Sequence, residues 1–341
     1  MKMVFYGKTP VFRDVVKRLQ KREFDYYDTQ HKRPVFKPAP TLLFEGSVKL
    51  HGANCAVSFD LTDGTLQAQS RKHLLTPSND PDGFAHFVAQ HTEAFRDLMR
   101  FYAERYAWQA GPAGRITLYG EWAGTGIKAD VAIAELPPTF YLFALRYTPA
   151  GHDNPFPQHD PSLWFDSRYP KALGFTGLDH VLHYPTYQLK ISFENTAALH
   201  EAETQLRALT ENVAQCCPVA QSHGVTGAGE GIVWVHQSTT RRVLFKTKGV
   251  AHQVIKGNGI ASTAPRLSSV QDFVDYAVTP NRLKQIESET PGTKDALTFA
   301  EALWQDVWAE EGSVITANGL SEQAVRSAIV DAAHDYLVRH L

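Results

Sequence analysis

The feature that most limits the fold is a change of hydrophobic period near Pro265. Upstream of it, apolar residues alternate in short runs: Leu42–Val48, Ala56–Leu61, Leu66–Ser70, Arg115–Glu121, Phe140–Tyr147, Gly231–His236 and Arg242–Lys248. A period of two buries one face of a strand, so these runs predict sheets. Two stretches between them repeat at helical spacing. Phe84, Phe87, Val88, His91, Phe95, Leu98 and Tyr102 predict a helix over 84–106, and 194–214 predicts another. Downstream only helical stripes occur: Ala296, Leu297, Ala300, Leu303, Trp304, Val307 and Trp308, then Val325, Ala328, Ile329, Ala332, Tyr336 and Leu337, with Ser321 as an N-cap. The expected fold is α+β: a large domain of antiparallel sheets and helices over 1–260, then a small all-helical C-terminal domain over 265–341. Gly257, Asn258, Gly259, Ser262 and Thr263 mark 250–264 as the linker, and 149–161 reads as a surface insertion.

With 341 residues the chain has room for both domains. No apolar run is long enough to cross a bilayer and no secretory leader is evident, so no membrane partner is expected. Cys55, Cys216 and Cys217 form neither a disulfide framework nor a four-ligand zinc site, which fits a reducing cytoplasm. The net charge is −2, unlike that of a protein that coats nucleic acid. Its distribution is uneven. Residues 1–37 carry ten Lys/Arg against four Asp/Glu, and 265–341 carry six against twelve. A basic extension over 1–40 can steer a phosphate backbone, although charge alone favours a solvated helix face at 11–22.

The chemistry concentrates in Lys49-Leu50-His51-Gly52-Ala53-Asn54, a hexapeptide between two predicted strands. Glycine lets backbone approach a ligand closely, and a deprotonated lysine amine attacks phosphorus. Alone, this stretch reads better as a surface lysine in a turn. It is followed in order by Ser70-Arg71-Lys72, by Tyr119-Gly120-Glu121-Trp122-Ala123-Gly124-Thr125-Gly126-Ile127, by Phe140-Tyr141-Leu142-Phe143-Ala144-Leu145, by Glu230-Gly231-Ile232-Val233 and by Leu244-Phe245-Lys246-Thr247-Lys248. Lys246 and Lys248 are two apart and share a strand face, opposite Val243 and Phe245.

In this order the six pieces resemble the motifs of the covalent lysyl-AMP nucleotidyltransferases, which include DNA ligases, RNA ligases and mRNA capping enzymes. The phage-type RNA ligase 2 family is the nearest likeness. His51 stands where most of the superfamily has aspartate, and Tyr276-Ala277-Val278-Thr279-Pro280-Asn281-Arg282 and Gln305-Asp306-Val307 resemble that family's C-terminal domain. The likeness covers 42–341, leaving 1–40 and 149–161 unassigned. It implies a nucleotidyltransferase (ATP-grasp-like ligase) domain and an ATP-dependent RNA ligase of RNA repair. Such an enzyme joins 5′-phosphate and 3′-hydroxyl ends through a Lys49–AMP adduct and AMP-capped RNA, with nick sealing in duplex RNA expected. Lys49 is then the nucleophile. Arg71 and Glu121 meet the ribose or reacting phosphate, and Phe143 stacks on adenine. Lys246 and Lys248 hold phosphates, His51 and Asn54 line the pocket, and Glu121 and Glu230 bind Mg²⁺ or Mn²⁺. Arg282 and Asp306 are the candidates for engaging nucleic acid. Implied partners are ATP and RNA ends, in nicked duplex or single-stranded form, without an obligate protein partner. The implied location is the cytoplasm of a bacterium or of a phage-infected host.

Residue by residue, blander readings stand beside these. Phe143 alone suits a core, Glu230 a solvated strand end, Lys246 and Lys248 an exposed strand face, and Arg282 with Asp306 a helix-surface ion pair. Two rival functions remain: a catalytically inert RNA-binding module of the same fold, and a DNA ligase or capping-type nucleotidyltransferase. The second normally places a β-barrel after the last lysine motif, where this chain predicts helices.

Overall fold

A computed structural model describes residues 3, 6–21, 23–110, 114–150, 175–238, 242–256, 259–290 and 295–340. Residues 151–161 of the expected insertion, and Gly257 and Asn258 of the expected linker, lie outside this set. In chain order the elements are α1 (Phe12–Leu19), β1 (Phe24–Asp28), β2 (Arg33–Phe36), β3 (Thr41–Lys49), β4 (Ala53–Asp60), β5 (Leu66–Ser70), β6 (Leu74–Leu75), α2 (Phe84–Gln90) and α3 (Thr92–Ala110). There follow β7 (Gly114–Ala123), β8 (Thr139–Pro149), β9 (Leu178–His180), β10 (Thr186–Ser192), α4 (Thr196–Gln215), α5 (Pro218–Ser222), β11 (Gly231–Gln237) and β12 (Arg242–Lys248). The tail comprises α6 (Val270–Ala277), α7 (Pro280–Glu289), α8 (Ala296–Ala317) and α9 (Glu322–His340). The chain is thus α+β, and every strand expected from the sequence forms.

Two compact units emerge, neither of them continuous in sequence. One gathers Met1–Lys8, Glu45–Gln188 and Gln215–Arg242; the other gathers Thr9–Phe44, Leu189–Ala214 and Val243–Leu341. In the first unit a six-stranded sheet has the order β6-β5-β4-β7-β8-β9, antiparallel except where β9 joins β8 in parallel. One face of this sheet is apolar. Cys55, Val57 and Phe59 of β4, Ile116 and Leu118 of β7, and Phe140, Leu142 and Leu145 of β8 pack with Phe84, Phe95 and Leu98 of the helices. The other face carries Asn54, Ala56, Tyr119 and Glu121, because successive side chains alternate between faces. The helix expected over 84–106 is broken at His91, which leaves helical geometry at φ −113°, ψ 27°. Its ring Nδ1 lies 2.9 Å from the Phe87 carbonyl, and the Thr92 hydroxyl donates to the carbonyls of Val88 and Ala89, so side chains compete with the helical ladder there.

Within the first unit, Glu45–Lys49 of β3 pairs antiparallel with Gly231–Val235 of β11, so that Lys49 lies opposite Gly231.

In the second unit the helical core extends from Val254 and Ile255 through Phe273, Ile286, Leu303, Val307, Val325 and Ile329 to Leu337. It therefore begins before the expected boundary at 260–265. Thr279 and Pro280 start α7, the threonine hydroxyl accepting from the N–H of Arg282. Asp295 caps α8 through the N–H groups of Leu297 and Thr298, and the Ser321 hydroxyl accepts from the N–H of Ala324 at the start of α9. The buried stripe of α8 runs through Phe299, Leu303, Val307 and Val314. Leu297, expected on that stripe, is instead exposed, and Trp308, also expected there, is 39% exposed. The hairpin of β1 and β2, also in this unit, was not foreseen from the sequence.

Candidate active site

Lys49 ends β3, and the pairing of β3 with β11 brings its side chain to Glu230, the residue before β11. Lys49 Nζ stands 2.6 Å from Glu230 Oε2, and that carboxylate is 2% exposed. His51 Nδ1 lies 3.5 Å from the same oxygen. The third member comes from β7: the N–H of Gly52 donates to Glu121 Oε1 over 3.0 Å. Gly52 is required there, since a Cβ would sit 2.3 Å from the Trp122 carbonyl oxygen. Asn54 lies opposite Glu121 in the register, and Glu121 opposite Tyr141. Burial pushes the Glu121 carboxyl pKa up; Lys49 opposes that rise, Glu230 adds to it, and Arg71 opposes it. So Lys49 with His51, and Arg71, Glu121 and Glu230 from three other places in the sequence, meet in one site.

Phe143 follows Tyr141 by one alternation onto the face that bears Glu121, next to an irregularity in β8. Between Tyr119 and Gly120 the register of β8 against β7 shifts, with Tyr119 opposite Ala144 and Gly120 opposite Leu142. Phe143 is the extra residue of a β-bulge, and it joins Ala144 on the face that bears Tyr119 and Ala56. It is half-buried. Tyr6 meets it edge-on with ring centroids 5.1 Å apart, and stands at the same distance from Tyr119. The Arg242 guanidinium donates to the Tyr6 hydroxyl, and Arg146 lies over the Tyr119 ring. Nothing in the sequence marks Tyr6 as part of this cluster.

In the second unit, Lys246 and Lys248 share one face of β12, while Val243, Phe245 and Thr247 are buried on the other. The shared face follows the spacing, but it is not the exposed strand face of the blander reading, since the Lys246 side chain is 12% exposed. Lys246 Nζ lies 2.5 Å from Glu310 Oε1 of α8. Arg282 departs from its expected surface role. It is wholly buried, donating to the Ala277 carbonyl (2.7 Å) and Glu310 Oε2 (2.8 Å), with Asp306 Oδ2 at 3.1 Å from its Nε. A guanidinium enclosed by these acceptors is not presented to a phosphate backbone. Asp306 is half-buried, with a side chain 9% exposed, so the pair lies at the edge of the core rather than on the helix surface. Beside it, Arg13 Nη2 lies 2.8 Å from Glu311 Oε2, which also accepts from the Tyr276 hydroxyl.

The RNA ligase family model matches residues 43–248. The chain belongs to the RNA ligase family. The matched span of this family member holds Lys49, Arg71, Glu121, Phe143, Glu230, Lys246 and Lys248, and excludes Arg282 and Asp306. No curated protein matches the chain. Among solved structures it is similar to a Naegleria gruberi RNA ligase with pyrophosphate (TM-score 0.42, 16% identity, covering 73% of this chain and 56% of that one). A variant of the Naegleria gruberi RNA ligase with ATP and manganese gives a TM-score of 0.43 at 16% identity, covering 73% of this chain and 57% of that one. This family member spans little more than half the length of the ligases it matches. Among its described residues, no helix is long and apolar enough to cross a membrane.

Proposed function

We propose that this chain is an ATP-dependent RNA ligase of the phage-type RNA ligase 2 kind. In this reading Lys49 attacks the α-phosphorus of ATP, the P–O bond to the leaving pyrophosphate breaks, and a phosphoramide bond to AMP forms. AMP then passes to a 5′-phosphate on RNA, and a 3′-hydroxyl displaces it to seal the strand, nicked duplex RNA being the expected substrate. The observation that carries the reading is the Lys49–Glu230 contact of 2.6 Å beside Glu121, inside the span that matches the family. A lysine as an ammonium donating to a carboxylate has no lone pair to offer. Lys49 must therefore lose a proton before attack, and Glu230, 2.6 Å from its Nζ, is positioned to accept it.

Glu121 and Glu230 suit a hard divalent cation, Mg²⁺ or Mn²⁺. Glu230 is buried and Glu121 half-buried, and Glu230 already raises the pKa of Glu121, a like-charge strain that a cation relieves. Among the described residues no group of three or more His, Cys, Asp or Glu is arranged to hold a metal, which leaves its other positions to water and phosphate oxygens. When bound, the cation supplies positive charge to the phosphate oxygens. Arg71 adds a fixed charge near Glu121, and Lys246 and Lys248 are assigned to the phosphates by the resemblance and by their shared strand face. Phe143, with its half-exposed ring, is assigned to adenine, and His51 and Asn54 to the pocket lining. The helical tail supports this reading over a DNA ligase or capping enzyme, because no strand follows Lys248 among the described residues. Competent residues at each position support it over an inert RNA-binding module.

Incubation with α-labelled ATP tests the proposal. Wild-type protein should take up covalent label, whereas Lys49→Ala and Lys49→Arg should not, since a guanidinium is not deprotonated in proteins. Label on the alanine variant would remove Lys49 from its role. Sealing of nicked duplex RNA against single-stranded RNA, with DNA controls, then checks the substrate.

A further inference from the structure

The hairpin of β1 and β2 precedes the family-matched span and has no part in the site described above. Its turn is closed by Asp28, whose Oδ1 accepts from the N–H groups of Gln30 and His31 while Oδ2 lies 2.7 Å from His31 Nδ1. Past this turn the ribbon is unusual for what it leaves in solvent. Tyr26 is 55%, Tyr27 53% and Phe36 38% exposed. Tyr26 lies opposite Val35 and Tyr27 opposite Pro34, so the two tyrosines stand on opposite faces. A two-stranded ribbon ordinarily relies on covering such rings.

Charge identifies the occupant. Lys32 and Arg33 are exposed at the turn, and Lys17, Arg18 and Lys21 along and just past α1, whereas Lys37 at the base pairs with Glu23. Arg13 is the exception in this basic segment, being drawn into the buried pair with Glu311. Asp28, the acidic residue opposite Arg33, has its carboxylate engaged by the turn. The helical tail, with six Lys/Arg against twelve Asp/Glu, repels a polyanion, so any grip on one must be local. Exposed rings interleaved with cations suit an unpaired nucleic-acid strand: bases stack on the π-faces whatever their sequence, and cations follow the phosphates.

We propose that the β1–β2 hairpin binds a single-stranded stretch of the RNA substrate, with Tyr26 and Tyr27 as stacking platforms and Lys32 and Arg33 on the backbone. The inference rests on RNA being the substrate. Its test keeps the two ideas apart, because Lys49–AMP formation with ATP alone needs no RNA. Fluorescence anisotropy on a labelled single-stranded RNA is measured for wild type, Tyr26→Ala/Tyr27→Ala and Lys32→Ala/Arg33→Ala. The aromatic double variant should bind at least about ten-fold more weakly. The charge variant should flatten the slope of log affinity against log salt by roughly 1.4. Both should form the Lys49–AMP adduct as wild type does. If wild type binds and seals RNA while the aromatic variant binds equally well, the hairpin has no such role. Equal weakening on blunt duplex RNA would also overturn it, since paired bases offer no free faces to stack. Loss of adduct in both variants would make the hairpin structural, and a change in oligomeric state would make it a protein contact. Failure of wild type to form adduct would instead overturn the ligase reading.

Discussion

Arg282→Ala removes a guanidinium that is wholly buried and hydrogen-bonded to the Ala277 carbonyl and to Glu310, with Asp306 at its Nε. The variant leaves two carboxylates in an apolar helical core. Glu310 keeps Lys246, whereas Asp306 is left with a side chain only 9% exposed and without its arginine. Breaking a buried pair in this way costs about 3–5 kcal/mol, because the stranded charge has lost its water and now its counter-charge. At about 2–4 °C per kcal/mol for domains of this order, the unfolding midpoint should fall by roughly 6–20 °C. Denaturant titration followed by circular dichroism at 222 nm, a helix-sensitive wavelength, reads it directly, and the tail should melt at lower denaturant. Arg282→Lys should recover only part of the loss, since an ammonium cannot reach all three acceptors in a planar fork. An alanine variant as stable as wild type that fails only in sealing would refute this account. Arg282 would then be a nucleic-acid contact after all.

Phe143→Ala should raise the ATP concentration needed for adduct formation by about 5- to 150-fold, corresponding to a lost stack of about 1–3 kcal/mol. Unfolding at lower denaturant with no selective change in ATP dependence would instead make Phe143 a packing residue. A pH effect on stability should come from His180, which is buried, with its imidazole pKa held well below the ordinary 6.5 first by desolvation and then by His183. The folded protein keeps this ring neutral, whereas the unfolded chain protonates it as pH falls through 6.5. Its contribution is therefore full above that value and declines below it, by up to about 1.4 kcal/mol per pH unit. Melting temperatures at about pH 7.5 and pH 5 should diverge less in His180→Gln than in wild type; an identical divergence would rule out His180 as the source.

Strands of the site were legible where one face lies in a core and the pattern alternates cleanly, as in β3 and β12. Glu121 and Glu230 were legible only jointly with Lys49, since a carboxylate at a strand end has no local signature of depth. What escaped the sequence depends on tertiary detail. The bulge in β8, which brings Ala144 onto the same face as Phe143, changes no composition. Arg282 looked exposed because arginine usually is; its burial follows from Asp306, Glu310 and the Ala277 carbonyl converging from separate helical turns. The hairpin did leave a trace, in aromatic and β-branched residues on either side of Asp28-Thr29-Gln30-His31, but a cluster of basic residues obscured it.

The winding of the chain has a consequence for anyone who would cut it. The backbone passes between the two units five times, at 8/9, 44/45, 188/189, 214/215 and 242/243, so no single cleavage divides the units. Ending the polypeptide near Gly259 would strip Glu310 from Lys246 and Glu311 from Arg13, and would leave Val254 and Ile255 bare. The helical tail is thus not a module that can be unplugged from the catalytic sequence or transplanted to another ligase by a single splice. Modular engineering of this protein has to respect seams that the linear order of its motifs conceals.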